Sequence, residues 1–217
     1  MSADLVSTLE HTPVMPLVIP EDPATAVSIC RALCAGGLRT AEIVLRTDRA
    51  LDAIRAVARE VPEALTGAGT VLNASQAEAA IAAGATFLVS PGLDEGVVAA
   101  ARDHGVPILP GVYTPTELQQ AFNLGLDIVK FFPASIAGGI PALQAFSNVF
   151  RSMRFMPTGG ISLDNLADFL ALPSVLACGG SWLTPASAVA AGDFAEITRL
   201  AREAADRAIQ AKRAVAR

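Results

Sequence analysis

Histidine, cysteine, lysine and the aromatic residues are all scarce in this chain of 217 residues, and each scarcity removes a class of function. Two histidines (His11, His104) and three cysteines (Cys30, Cys34, Cys178) leave little material for a metal cage. The cysteines are odd in number and scattered. They read as small core residues of a reduced compartment, which points to the cytoplasm. Positive charge is in deficit: 16 Lys and Arg against 21 Asp and Glu give a formal charge of −5, whereas a nucleic-acid binder needs a basic footprint. No uninterrupted apolar run approaches the ~18 residues of a membrane span. The opening MSADLVSTLEHTP lacks a basic segment followed by an apolar run, so no signal peptide is expected.

What is present is apolar and periodic. Hydrophobic residues make up 52% of the chain, enough for a large core and for some apolar surface between subunits. Short apolar runs lie at 13–20, 40–46, 65–71, 86–92, 106–112, 127–134, 154–160 and 175–183, with helical patterns between them. Eight strands alternating with helices predict an α/β fold, a single-domain (β/α)8 TIM barrel over residues 1–217, with an extra N-terminal helix at about residues 3–10. Helix starts are marked by Asp22-Pro23, by Asn73 with Gln76, and by Thr114-Pro115-Thr116-Glu117, which offers a complete capping box. Glycines 36, 84, 105 and 125 are placed as left-handed C-terminal caps. The charged C-terminal helix reads as a solvated face, and Lys212 within it as a solvated lysine.

Lys130 is the only other lysine, and it sits inside the apolar strand DIVKFFPA. Lysine can lose its proton and form an imine, whereas arginine can do neither. An incidental strand-end lysine is the plainer account, but buried lysines are rare without a partner. Residues two apart share a strand face, so Ile128, Lys130 and Phe132 point one way and Val129 and Phe131 the other. In TAEIVLR the same parity groups Glu42, Val44 and Arg46 opposite Ile43 and Leu45. With the apolar pair under the helices, Glu42, Arg46 and Lys130 share the barrel interior. A self-satisfied ion network is the bland alternative; charges gathered where desolvation is costly more often mark a reactive site.

Two glycine pairs end the last two strands, PTGGIS (157–162) and CGGSWL (178–183). Barrels commonly bind phosphate there, with backbone amides and helix N-termini. Gly159, Gly160, Gly179 and Gly180 let the backbone approach an anion, and Ser181 adds a hydroxyl. Lysine, carboxylate, arginine and a remote phosphate cradle together point to Schiff-base chemistry on a phosphorylated keto acid. The lysine must be neutral to attack. Burial beside Phe132 and repulsion from Arg46 favour that form, and an ionised Glu42 opposes it.

AEIVLRT, GAGTVLN, FLVSPG, LPGVYTPTE, VKFFPA, PTGGIS and GGSWL occur in the order seen in class I 2-keto-3-deoxy-6-phosphogluconate (KDPG) aldolases, which this chain resembles from about residue 13 to 205. These are related to the 4-hydroxy-2-oxoglutarate (KHG) aldolases. The resemblance implies Lys130 as the imine-forming lysine and Glu42 as general acid/base. It implies Arg46 and Thr70 as carboxylate-binding groups, and Pro91, Phe132 and Thr158 as pocket walls around the pyruvyl portion. It further implies Gly159, Gly160, Gly180 and Ser181 as the phosphate site, a homotrimer, and no cofactor and no metal, the covalent lysine imine carrying the chemistry. Thr158 looks like the phosphogluconate branch, since the phosphogalactonate branch tends to valine there. Two rivals remain at this point. A phosphosugar epimerase or isomerase would need further acid/base groups, and a non-catalytic keto-acid or phosphate-binding barrel would not need Lys130 with Glu42.

Overall fold

The computed structural model describes residues 3–19 and 21–215. Pro20, the last residue of the expected first strand, and residues 216–217 of the expected terminal helix lie outside the described residues. Nine strands follow in chain order: β1 (Val14–Val18), β2 (Thr40–Val44), β3 (Leu65–Gly69), β4 (Phe87–Val89), β5 (Ile108–Leu109), β6 (Gly111–Val112), β7 (Ile128–Phe131), β8 (Arg154–Pro157) and β9 (Cys178–Gly180). The first five helices are α1 (Ala3–His11), α2 (Pro23–Ala35), α3 (Ala50–Glu60), α4 (Ala74–Ala82) and α5 (Glu95–Asp103). The remainder are α6 (Pro115–Asn123), α7 (Gly139–Val149), α8 (Leu163–Leu170), α9 (Ala186–Ala191) and α10 (Phe194–Val215).

All strand pairs are parallel. The order β5-β4-β3-β2-β1-β9 forms one sheet and β6-β7-β8 another. Single bridges from Phe155 to Val175 and from Thr158 to Gly179 join β8 to the β9 segment. Pro110 alone separates β5 from β6, so the expected strand at 106–112 is one barrel position in two pieces. Proline has no amide hydrogen to give a neighbour and interrupts the ladder there. Its carbonyl still accepts the amide of Lys130 at 2.8 Å. The result is an α/β TIM barrel with eight strand positions, as the sequence predicts.

Parity decides the layers. Ile43, Val129, Phe131 and Phe155 pack outward beneath the helices. Met15, Phe87, Val89, Leu109, Ile128 and Met156 fill the interior together with Leu5 and Leu9 of α1. The N-terminal helix is therefore a plug. Its two leucines close the end of the barrel where the strands begin, and burying each contributes roughly 1.5–3 kcal/mol. Arg154 at the start of β8 pairs with Glu10 of α1 at 2.8 Å across the same end.

The cap expectations meet one correction. Asp22 accepts from Thr25 N, Asn73 from Gln76 N, and Thr114 with Glu117 forms the capping box. Gly84, Gly105 and Gly125 have φ of +106°, +66° and +67°. Gly36 does not belong with them, because the left-handed residue after α2 is Gly37 at φ +93°. Gly36 is needed for close packing instead: a Cβ there would lie 2.4 Å from Ala201 Cβ of α10. Helix α10 buries a face of small residues (Ala201, Ala204, Ala205, Ala208), while Arg199 pairs with Glu196 and Glu203 on its solvated side. Lys212 is a second correction. It is half-buried and donates to the carbonyl of Val175, just before β9. Helix α9, too short and alanine-rich to register as a pattern, is additional.

Candidate active site

Lys130 and Glu42 meet inside the mouth of the barrel. Lys130 Nζ donates to Glu42 Oε1 at 3.1 Å, with the lysine side chain 6% exposed and the glutamate 0%. Eighty-eight positions separate them in sequence. Closure of the barrel brings their strands face to face, and strand parity turns both side chains inward. Two opposite charges removed from water cost several kcal/mol each in hydration, which their attraction only partly repays. Glu42 Oε2 is buried with no hydrogen-bond partner in the structure. An acceptor left open beside an ammonium, at the entrance of a dry cavity, is placed for a ligand hydroxyl or a water.

The surroundings of the pair follow the expected pattern. Ile128 lies beneath Lys130 in the buried interior, and the ammonium stands 5.3 Å from the centroid of the Phe132 ring. The register sets Gly111 beside Lys130. Gly69 supplies the room for Glu42: a Cβ there would sit 2.3 Å from Oε1 of the carboxylate. Gly69, within GAGTVLN, has no role assigned from the sequence. Carrying the parity argument from β2 to β3 would have found it, since Val44 pairs with Gly69 and Glu42 with Gly67.

Arg46 departs from expectation. Strand β2 ends at Val44, so the two-residue alternation stops short of position 46. The guanidinium is exposed at the rim and does not share the enclosed interior with Lys130. Its Nε donates to Thr70 Oγ1 at 3.4 Å, so the two groups expected to hold a carboxylate do stand together. Thr70 has φ +60°, a left-handed backbone that β-branched residues rarely adopt. Strain of this kind costs about 1–3 kcal/mol and concentrates at ligand-handling positions.

Pro91 is half-buried at the end of β4, and Ser90 before it is buried, donating to the Gly92 carbonyl at 2.7 Å. Thr158 is 3% exposed and faces Gly179, where a Cβ would lie 2.3 Å from its Oγ1. Gly159 and Gly160 take φ of +98° and +75°. The loop after β7 is tied to this turn, with Ala134 N donating to Thr158 O at 2.8 Å and Ser135 N to Gly159 O at 3.1 Å. Ser135, unassigned from sequence, places its hydroxyl where a Cβ on Gly160 would fall. Ser181 is exposed, next to the buried Gly180. The two glycine turns are joined by the bridge between Thr158 and Gly179, so the expected phosphate-binding residues form one surface.

His11 bonds its own helix through the Ser7 carbonyl, and His104 ends α5; both are exposed and away from the pair. Burial raises the thiols: Cys30 to about 12, Cys34 to about 11 with help from Glu63, and Cys178 higher still.

A family model described as KDPG and KHG aldolase matches residues 5–200. The chain belongs to that family. A KHG/KDPG aldolase of Escherichia coli K12 is 51% identical over 200 residues, spanning 92% of this chain and 94% of the other. The crystal structure of a 2-keto-3-deoxy-6-phosphogluconate aldolase of Zymomonas mobilis ZM4 with 3-phosphoglycerate superposes with a TM-score of 0.87 at 45% identity, covering 94% and 96% of the two chains. A KDPG aldolase of Legionella pneumophila with pyruvate captured as a covalent carbinolamine gives 0.89 at 37% identity, with coverage of 92% and 97%. A lysine and a carboxylate in hydrogen-bond contact within one enclosed space can supply a nucleophile and its proton acceptor.

Proposed function

We propose that this aldolase cleaves 2-keto-3-deoxy-6-phosphogluconate to pyruvate and glyceraldehyde 3-phosphate through an imine on Lys130. By the same route it cleaves 4-hydroxy-2-oxoglutarate to pyruvate and glyoxylate. The observation that carries this reading is the buried 3.1 Å contact between Lys130 and Glu42 at the mouth of the barrel. The carbinolamine trapped in the Legionella relative supports it by analogy.

The ammonium of Lys130 passes its proton to Glu42, and the freed amine attacks the C2 ketone. Glu42 returns that proton to the carbinolamine hydroxyl, whose loss as water gives an iminium and restores the carboxylate. Glu42, directly or through a water at its open Oε2, takes the C4 hydroxyl proton as the C3–C4 bond breaks. The bonding pair flows into the iminium, the aldehyde leaves, and an enamine remains. Protonation at C3 and hydrolysis release pyruvate and restore the amine. Arg46 with Thr70 holds the carboxylate, and the paired glycine turns hold the phosphate through backbone amides. Fixing both ends of the substrate supplies the orientation such a cleavage needs.

Borohydride reduction with pyruvate tests the central claim. One pyruvyl-derived mass should appear on the peptide containing Lys130, and none in Lys130→Ala. An unmodified peptide, or wild-type cleavage by that variant, would falsify the imine assignment. Cleavage rates with the phosphogluconate, phosphogalactonate and hydroxyoxoglutarate substrates rank the specificity, with phosphogluconate first.

The assembly we propose is a homotrimer. Exposed Ile136 and Val149, 79% and 74% accessible, offer apolar surface for a second copy. Sedimentation velocity reads this directly. Three free thiols fit a reducing cytoplasm. No helix among the described residues is long and apolar enough to cross a membrane.

A further inference from the structure

The adjacent glycines Gly179 and Gly180 are held from opposite sides. Gly179 faces inward, and the position of its absent Cβ is 2.3 Å from Thr158 Oγ1. Gly180 faces outward, where a Cβ would lie 1.7 Å from Cζ3 and 2.1 Å from Cε3 of Trp182. The indole therefore lies against the α-carbon of Gly180 from behind, on the side away from the barrel interior. Trp182 is half-buried and packs on the outer apolar layer. The chain then closes behind it: Thr184 N donates to Ser181 O at 3.2 Å, and Thr184 Oγ1 donates to Leu17 O of β1 at 2.9 Å. Gly180 itself is paired with Pro16 of β1. A backbone with side chains wedged on both faces and a turn stapled to the neighbouring strand has little freedom to shift.

We infer that Trp182 is a positioning residue for phosphate recognition. It sets the depth of the Gly180–Ser181 backbone at the mouth without touching the reacting atoms. The inference rests on the aldolase reading, which makes this turn the phosphate site. Its consequence is selective. Loss of the indole lets the turn sink outward, which weakens the hold on phosphate and leaves imine formation at Lys130 intact. Pyruvate has no phosphate, so it serves as the internal control.

Trp182→Ala, Trp182→Phe and Trp182→Leu are compared with the wild type in two assays. For Trp182→Ala, KM for 2-keto-3-deoxy-6-phosphogluconate rises about tenfold, while the pyruvate concentration giving half-maximal borohydride trapping stays within about twofold. Trp182→Phe, which keeps an aromatic face, recovers most of the loss; Trp182→Leu, which keeps apolar packing but loses the ring that lies against Gly180, carries the test if the alanine variant does not fold. A parallel rise in both quantities makes Trp182 a purely structural residue and overturns the inference, as does no change in either. Trp182 is the only tryptophan, so its emission adds a readout free of turnover. Inorganic phosphate should shift the emission of the wild type saturably, and an unmoved emission counts against the inference. If the aldolase reading itself is wrong, wild-type protein traps no pyruvate, which separates that failure from this one.

Discussion

The two ends of the barrel interior are built from the same strands and have opposite characters. At the floor, Leu5 and Leu9 of α1 meet Met15, Phe87, Ile128 and Leu176 in an apolar cluster. At the mouth, β2 and β7 carry Glu42 and Lys130, and Thr158 follows β8, with glycines standing where a side chain would collide with Glu42 and Thr158. On β7 the change takes two residues, from Ile128 to Lys130, a rise of about 6.6 Å. The floor gains stability from burial, and the mouth gives some up by enclosing charges and by holding Thr70 at φ +60°. One end stabilises the scaffold that the other end strains.

The strongest way to break that contrast is to make the mouth resemble the floor. In Lys130→Met with Glu42→Gln, cleavage should fall by at least about 10³-fold, because the proposed nucleophile and base are both gone. Thermal or urea unfolding should show stability kept or raised, by up to about 1–4 kcal/mol, since a buried ion pair is replaced by neutral groups. A large loss of stability would show that the pair holds the fold together. The converse is Leu9→Ala at the floor. Urea titration should show a loss of about 2–5 kcal/mol, with kcat/KM near wild type under folding conditions. Activity lost in proportion would mean that floor and mouth are mechanically coupled.

The smallest effect at neutral pH comes from groups in neither region. Burial raises Cys30, Cys34 and Cys178 above the ordinary thiol value of 9.0. Their contribution is complete below pH 9 and is lost as pH rises toward the folded values of about 11 and 12 for Cys34 and Cys30. Burial lowers Lys212 below 10.5, so its contribution runs the other way, growing as pH rises toward 10.5. Urea midpoints should therefore fall between pH 9 and 11, and Cys30→Ala should flatten the fall while Lys212→Met steepens it. A flat alkaline profile in the wild type would show that the thiols open to solvent before they titrate.

What the sequence made legible was governed by local rules. Parity on DIVKFFPA and TAEIVLR turned Lys130 and Glu42 inward, and capping chemistry placed the starts of α2, α4 and α6. Where the local rule ended, the reading slipped. Arg46 lies two residues past the end of its strand, so alternation no longer governs it. Gly36 was given a backbone reason, although a helix 165 positions away, at Ala201, is what excludes a side chain there. The glycine pair at 179–180 was read as open space for an anion, although Thr158 and Trp182 also demand it. Contacts between distant segments carry these reasons, and they exist only once the barrel has closed.

The plug at the floor also settles how the molecule can be tethered. Helix α1 sits under the barrel, and Lys212 near the end of α10 reaches the Val175 carbonyl on the same side. A linker joined at either end of the described chain leaves from the face opposite Lys130. Anchored to a bead or fused to another enzyme through either one, the barrel presents its open end to the surrounding solution.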